Sequence, residues 1–173
     1  MILEARKRWG MQLEDCQEAV AEHLPYQDAF FDQIVCWGVF DACFQSQALS
    51  EMARVLKTDG QLLVTGKNDN YCDDDELAYT AEVNARAKGH PNFFTNFPKL
   101  LLSLVELGLK SEKNFYFERR GDLSDNRHML IPPPHFYEYV LICKKEVHTG
   151  HQCSLALAHE FSVTFTRRNP IRL

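Results

Sequence analysis

The sequence is poor in the features that usually announce a function. None of its eight glycines stands two residues from another. It therefore has no G-x-G turn of the kind that lets backbone amides approach a pyrophosphate, and a nicotinamide-type dinucleotide domain loses its fingerprint. Six cysteines are present (Cys16, Cys36, Cys43, Cys72, Cys143 and Cys153), but no two form a C-x-x-C pair. Several sit in apolar runs, where a reduced thiol behaves as a small hydrophobe. No apolar run approaches the ~20 residues of a membrane span, and the opening MILEARKRWG lacks the apolar core of a secretory signal. Long basic runs are also missing and the net charge is −5, which argues against a broad surface for nucleic acid or anionic membrane. A cytoplasmic chain with reduced thiols is the expectation.

What is present is an ordinary globular composition, 45% hydrophobic and 25% charged over 173 residues, enough for one domain with a real core. MILEARKRW has helix-forming composition and MQLEDCQ suits a short strand. FFDQIVCWGVF is a β-rich apolar run suited to a buried parallel strand. QSQALSEMARVLK follows, with Leu49, Met52, Ala53 and Leu56 on one helical face and Gly60 placed as a helix stop. GQLLVTG is the next strand, and the strand–helix–strand order is a βαβ unit. DDDELAYTAEVNARAK reads as a helix with acidic residues in its first turn, and GHPNFF as a break. TNFPKLLLSLVELGLK is an amphipathic helix with Thr95 or Asn96 as cap and Pro98 in its first turn. NFYFERR and FYEYVLICKKE are two late strands joined by a stiff IPPPH loop outside the sheet. In the remainder, FSVTFT is weakly strand-like, and the end of the chain is expected to be poorly ordered.

Two strings then carry a resemblance. LPYQDAFFDQIV, followed by ALSEMARVLKTDGQLLV, resembles the second half of a class I S-adenosylmethionine (SAM)-dependent methyltransferase of the type 11-like group. Members carry something like LPF-x-D-x-S-F-D-x-V and then E-x-x-R-V-L-K-P-G-G. Leu24, Pro25, Asp28, Phe31, Asp32, Glu51, Arg54, Val55, Leu56, Lys57 and Gly60 agree. Phe30 departs from the pattern, as does Thr58-Asp59 where members have Pro-Gly. The clear match runs from about Ala21 to Thr65, and a looser one, through element order, to about Glu146.

The resemblance implies an α/β, Rossmann-like sheet of seven strands with the last antiparallel, and a ligand at the carboxyl ends of the strands. It makes FDQIVCWG the fourth strand and sets Cys36, Trp37 and Gly38 beside the cofactor. The turn before LPY would hold adenine; Val20 stands where many members have Asp, which leaves the backbone of Ala21 and Glu22 for that contact. The glycine-rich loop and the ribose-binding acid belong to the first two strands in the family, and neither is found here. The expectation is therefore an N-terminally truncated sheet. Residues 1–146 form a partial methyltransferase domain and residues 147–173 a C-terminal extension. Strand one would lie between strands three and four, so FDQIVCWG should have a bare edge, through which the chain could form a homo-oligomer.

Methyl transfer from a sulfonium is an in-line displacement that needs positioning more than a strong base, so no catalytic residue is assigned. Trp37 reads equally as a cation–π partner for a sulfonium and as a hydrophobe filling a strand end. Asp41 suits substrate orientation or a plain loop or cap. Lys67, Asn68 and Tyr71 leave the next strand on the ligand side, where polar loop residues can meet a substrate or simply form a capped turn. Asp32 is read as structural. Asp73 to Glu76 read as a solvated helix start, His90, His128 and His135 as loop histidines or acid–base groups, and Arg119 and Arg120 as exposed charge or an anion site. His148, His151 and Cys153 have ligand-type side chains but no second cluster, so no metal is expected. The function read from the sequence is a SAM-dependent methyltransferase with a small-molecule acceptor, inactive if this truncated chain acts alone. The alternative is a non-catalytic methyltransferase-like module that works by association.

Overall fold

The computed structural model describes residues 7, 8, 10, 16–89, 92–147 and 161–164. Its main sheet has four strands, β1 (Phe31–Cys36), β2 (Leu56–Lys67), β4 (Leu109–Phe117) and β5 (Glu138–Lys145), in the order β1-β2-β5-β4. β1 and β2 are parallel; β5 runs antiparallel to both of its neighbours. A two-stranded ribbon pairs β3 (Phe93–Thr95) with β6 (Ser162–Thr164). Three helices connect these strands: α1 (Gln45–Val55), α2 (Glu76–Ala87) and α3 (Phe97–Glu106). The expected α/β class is found, and β5, the last strand of the main sheet in chain order, is antiparallel.

The helices begin where local chemistry allows. Asp75 caps α2 by accepting from the Ala78 N–H at 3.0 Å, and Asn96 caps α3 by accepting from the Lys99 N–H at 3.2 Å, satisfying donors that have no intrahelical partner. α1 ends earlier than Gly60 suggested. Leu56 is already extended, and the left-handed residue is Asp59, with φ of 64°. Gly60 instead lies within β2 because a Cβ there would come within 2.9 Å of Leu56 Cδ1, Lys57 O and Asp32 O. The carboxyl end of α1 is met from across the sheet by the Lys145 ammonium, which donates to Ala53 O at 2.6 Å and Leu56 O at 2.7 Å.

One face of the sheet presents Ile34, Leu62, Val64 and Leu141, which pack with helix residues such as Leu49, Met52, Leu100 and Leu104 into the main core. On the other face Val35 pairs with Leu63, which pairs with Ile142. Val35 is 68% exposed. β1 has no strand on its outer edge among the described residues. GHPNFF, read as a break, ends in the first two residues of β3, whose pairing partner lies at residues 162–164, too distant for local pattern to reveal. FSVTFT does contain a strand. Lys7 and Arg8 are helical, whereas most of MQLEDCQ lies outside the described residues.

Arg54 is a main link between the two matching strings. Arg54 of α1 donates from Nη1 to Tyr26 O (2.7 Å) and Asp28 Oδ1 (2.8 Å), and from Nη2 to Leu24 O (3.0 Å). Glu51 holds the guanidinium through Nε and Nη2 (2.8 and 2.7 Å), while its Oε2 accepts from the Leu24 N–H (2.9 Å). Hydrogen bonding to Arg54 holds the Glu51 carboxyl below its ordinary pKa, against the opposing effect of burial. Asp32, by comparison, makes an exposed pair with Lys57 at 2.9 Å, which contributes little.

Replacing Arg54 by Lys keeps the charge but loses the fork, so Arg54→Lys and Arg54→Met should each lower stability in urea unfolding, the latter by about 2–4 kcal/mol. Because the folded pKa of Glu51 is depressed, its contribution is complete above the unfolded carboxyl value and disappears as pH falls through the folded one. The wild-type midpoint should therefore fall on acidification, and less so in Glu51→Gln.

Candidate functional site

A cavity of about 200 Å³ opens where β1 and β2 end and β5 begins. Trp37 and Gly38 line it from the end of β1, Thr65 to Lys67 from β2, and Glu138 and Tyr139 from β5. Asp41, in a single 3-10 turn (Phe40–Ala42), and Leu123, in the loop after β4, complete the wall. This is the carboxyl end of the parallel strands, where open α/β sheets hold ligands. Hydrogen bonds fix the rim. The Gly38 N–H donates to Thr65 Oγ1 at 2.8 Å. Gly66 lies directly under the Tyr139 ring, leaving no room for a Cβ, and Tyr139 Oη bonds to Thr95 Oγ1 at 2.8 Å. Beyond β2, the Asn68 N–H reaches Tyr137 O (2.8 Å) and the Asp69 N–H reaches Thr95 O (3.0 Å).

Behind the cavity lies a buried polar network. Lys67 Nζ stands 2.6 Å from Asp41 Oδ2 and 3.1 Å from Glu82 Oε1, and donates to Asn92 Oδ1 at 3.2 Å. Glu82 is 1% exposed and also accepts from Asn92 Nδ2 and the Tyr137 hydroxyl. Arg120 donates to Tyr137 Oη at 2.9 Å and lies 3.9 Å from Glu82. Burial works against the Lys67 ammonium, but the charges of Asp41 and Glu82 outweigh it and its pKa stands above the ordinary lysine value. Burial raises the Tyr137 hydroxyl strongly, with the Glu82 charge adding to the effect. Glu138 lines the cavity, is partly buried, and has its pKa raised by that burial, with Arg120 and Lys67 opposing.

The sequence candidates divide. Trp37, Gly38, Asp41 and Lys67 share the cavity, and Asp41 and Lys67 are ion-paired. Cys36 lies one residue short of the cavity wall, and its thiol is pushed up to about 12 by burial, with Cys43 and Asp41 adding to the shift. Asn68 is 2% exposed, and its amide donates to Asn70 O and Phe136 O, both at 3.1 Å, so it ties two loops together. Tyr71 stacks on Phe94 with centroids 5.3 Å apart and meets Tyr137 edge-on. Ala21 packs against the main core, and the Glu22 carboxylate accepts from the Phe44 N–H at the start of α1 (2.7 Å).

Among the remaining charges, Asp75 is a buried cap that also accepts from the Arg120 N–H (2.8 Å), and Arg119 pairs with Asp74 at 2.6 Å. Neither arginine is a free surface charge. His128 packs against Phe115. His90, His148, His151 and Cys153 lie outside the described residues. Among the described residues no group of three or more His, Cys, Asp or Glu side chains could hold a metal ion, and no helix is long and apolar enough to cross a membrane. Glu82, Asn92, Tyr137 and Glu138 were not legible as site residues. The only sequence signal was Glu82 on the helix after the second strand, one acid among several.

Comparisons with known proteins fit this geometry. Residues 1–64 match the model of the methyltransferase domain family. A search of the curated proteins finds no match to the chain. Among solved structures, a SAM-dependent methyltransferase of Thermotoga maritima superposes with a TM-score of 0.56 at 21% identity, over 74% of this chain and 62% of that one. The Haloferax volcanii complex between the Trm112 methyltransferase activator and a methyltransferase gives 0.56 at 13% identity, over 85% and 68%. The [4+2]-cyclase SpnF gives 0.53 at 18% identity, over 84% and 61%. At these identities the likeness establishes the fold, and one fold carries several chemistries.

Lys67→Met should destabilise the protein by about 3 kcal/mol, because it strands two carboxylates of which one is fully buried. In a double-mutant cycle with Glu82→Gln, thermal unfolding should show a coupling of about 1–3 kcal/mol.

Proposed function

Because the chain has the class I methyltransferase fold and its residues 1–64 match the methyltransferase domain family, we propose that it forms the acceptor side of a SAM-dependent methyltransferase acting on a small molecule. The observation that carries this reading is the cavity at the carboxyl ends of β1 and β2, walled by Trp37, Gly38, Asp41 and Lys67. At about 200 Å³ it is smaller than the ~300–1,000 Å³ of drug-sized ligand pockets, which favours a compact acceptor.

The described residues suit one end of SAM. Gly38 has φ of 66° with no atom within 4 Å of where a Cβ would stand, so the end of β1 is open beside the Trp37 ring. They do not suit the rest. No G-x-G turn occurs in the chain, and the Glu22 carboxylate is already engaged at Phe44, which leaves only backbone in the adenine turn. Within this reading the chain's own side chains position and exclude: Trp37 and Tyr139 give the cavity apolar walls, and the Lys67 network fixes Asp41. Calorimetry with SAM on the 173-residue chain should show weak binding or none; micromolar affinity would mean that these residues hold the cofactor unaided.

A second reading, a non-catalytic module that pairs with a second copy, is favoured by β1. Val35 is 68% exposed and Trp37 53%, on a strand whose outer edge is unpaired among the described residues. Sedimentation should then show a dimer that Val35→Lys dissociates; a monomer at all concentrations would count against it.

A further inference from the structure

The charges around the cavity do not balance. Two cations, Lys67 and Arg120, face three carboxylates, Asp41, Glu82 and Glu138. Lys67 is held between Asp41 and Glu82, while Arg120 turns to Tyr137 Oη and to Glu82. Glu82 is saturated, accepting from Lys67, Asn92 and Tyr137. Glu138 has no hydrogen bond or ion pair from its carboxylate among the described residues, although Lys67 is its partner in the β2–β5 register and Phe117 its partner in β4. It nevertheless lines the cavity, as the ion-paired Asp41 also does, alongside the aromatic surface of Trp37 and Tyr139.

We propose that the cavity binds a small organic ammonium ion, with the Glu138 carboxylate as its counter-charge and the Trp37 ring as its aromatic wall. An anion is the wrong guest, because the one ammonium on the wall is already flanked by two carboxylates. A neutral guest would leave the Glu138 charge partly desolvated and unpaired, which is costly. Burial already raises the Glu138 pKa, as expected for a carboxylate waiting for a partner. This inference takes from the methyltransferase reading only that the cavity is the acceptor's place; the binding itself needs no cofactor.

The sign of the pH dependence follows. Only the ionised carboxylate pairs with an ammonium, so affinity is lost as pH falls through the raised Glu138 pKa, with Arg120 and Lys67 lowering that value and Asp41 and Glu82 raising it. The test is an NMR titration of the full chain with n-propylammonium, and with 1-propanol and propionate as neutral and anionic matches. The ammonium should shift the amides of Gly38, Gly66 and Glu138, and the other two should not. Binding should weaken about tenfold in Glu138→Gln and also on acidification of the wild type. Glu138→Gln should fold normally, since no protein partner is lost, and thermal unfolding checks this. Equal shifts by 1-propanol, or ammonium binding undiminished in Glu138→Gln, would overturn the proposal. Ammonium binding in a chain that never methylates, even when a cofactor-binding segment is supplied, would sink the methyltransferase reading and leave this one standing. Methylation of a neutral or anionic acceptor would do the reverse.

Discussion

The Arg54 guanidinium is the constraint on which the rest of the site depends. It reaches two backbone carbonyls, Leu24 O and Tyr26 O, and one carboxylate, Asp28, in the arm that leads into β1. A planar fork can serve several acceptors in fixed directions, which a lysine cannot. Glu51, one turn earlier on α1, supplies the counter-charge and takes up the Leu24 N–H. The arm is thereby fastened to the carboxyl end of α1, where Ala29 and Phe30 also donate to Arg54 O and Val55 O. Where that arm ends, β1 begins. The register of β1 on β2, and with it the place of Trp37 and Gly38 at the cavity, follows from this fastening.

This explains which parts of the molecule could be read in advance. LPYQD and E-x-x-R are separate strings, yet they describe one set of hydrogen bonds, so their joint occurrence carried information about the fold that neither held alone. The βαβ unit, the α3 cap and the two late strands were legible because each is set by local pattern; the α2 cap, Asp75, was read only as part of a solvated acidic helix start. Gly60 was misplaced because a glycine after a helix usually marks its stop, whereas here close approach by Asp32 O and Leu56 demands it. β3 was missed because three residues carry no period, and its partner lies at the far end of the chain.

The site was half legible for a related reason. Trp37, Gly38, Asp41 and Lys67 follow the carboxyl ends of two strands, and topology alone places such residues on the ligand side. Glu82, Tyr137, Arg120 and Glu138 come from a helix, a loop and an antiparallel strand. They meet only because β5 pairs with β2 so that Gly66 faces Tyr139 and Lys67 faces Glu138. No spacing in the sequence encodes that register. The arginines show the same limit, since Arg119 and Arg120 read as surface charge and find Asp74 and Tyr137 only in three dimensions.

Fold alone does not decide the chemistry, since a cyclase shares it with methyltransferases. The electrostatics of the cavity say more. Burying a lysine with two carboxylates rarely improves stability over an apolar core of the same shape, although removing one partner is costly, so the network is no evidence of added stability. It does consume the positive charge that would otherwise stand on the cavity wall. With Lys67 committed to Asp41 and Glu82, the Glu138 carboxylate lines the cavity without an ion pair of its own among the described residues. A fully buried acid and a half-buried one thus differ through their partners. Glu82 is neutralised in place by hydrogen bonds and an ion pair, while the Glu138 carboxylate has neither among the described residues.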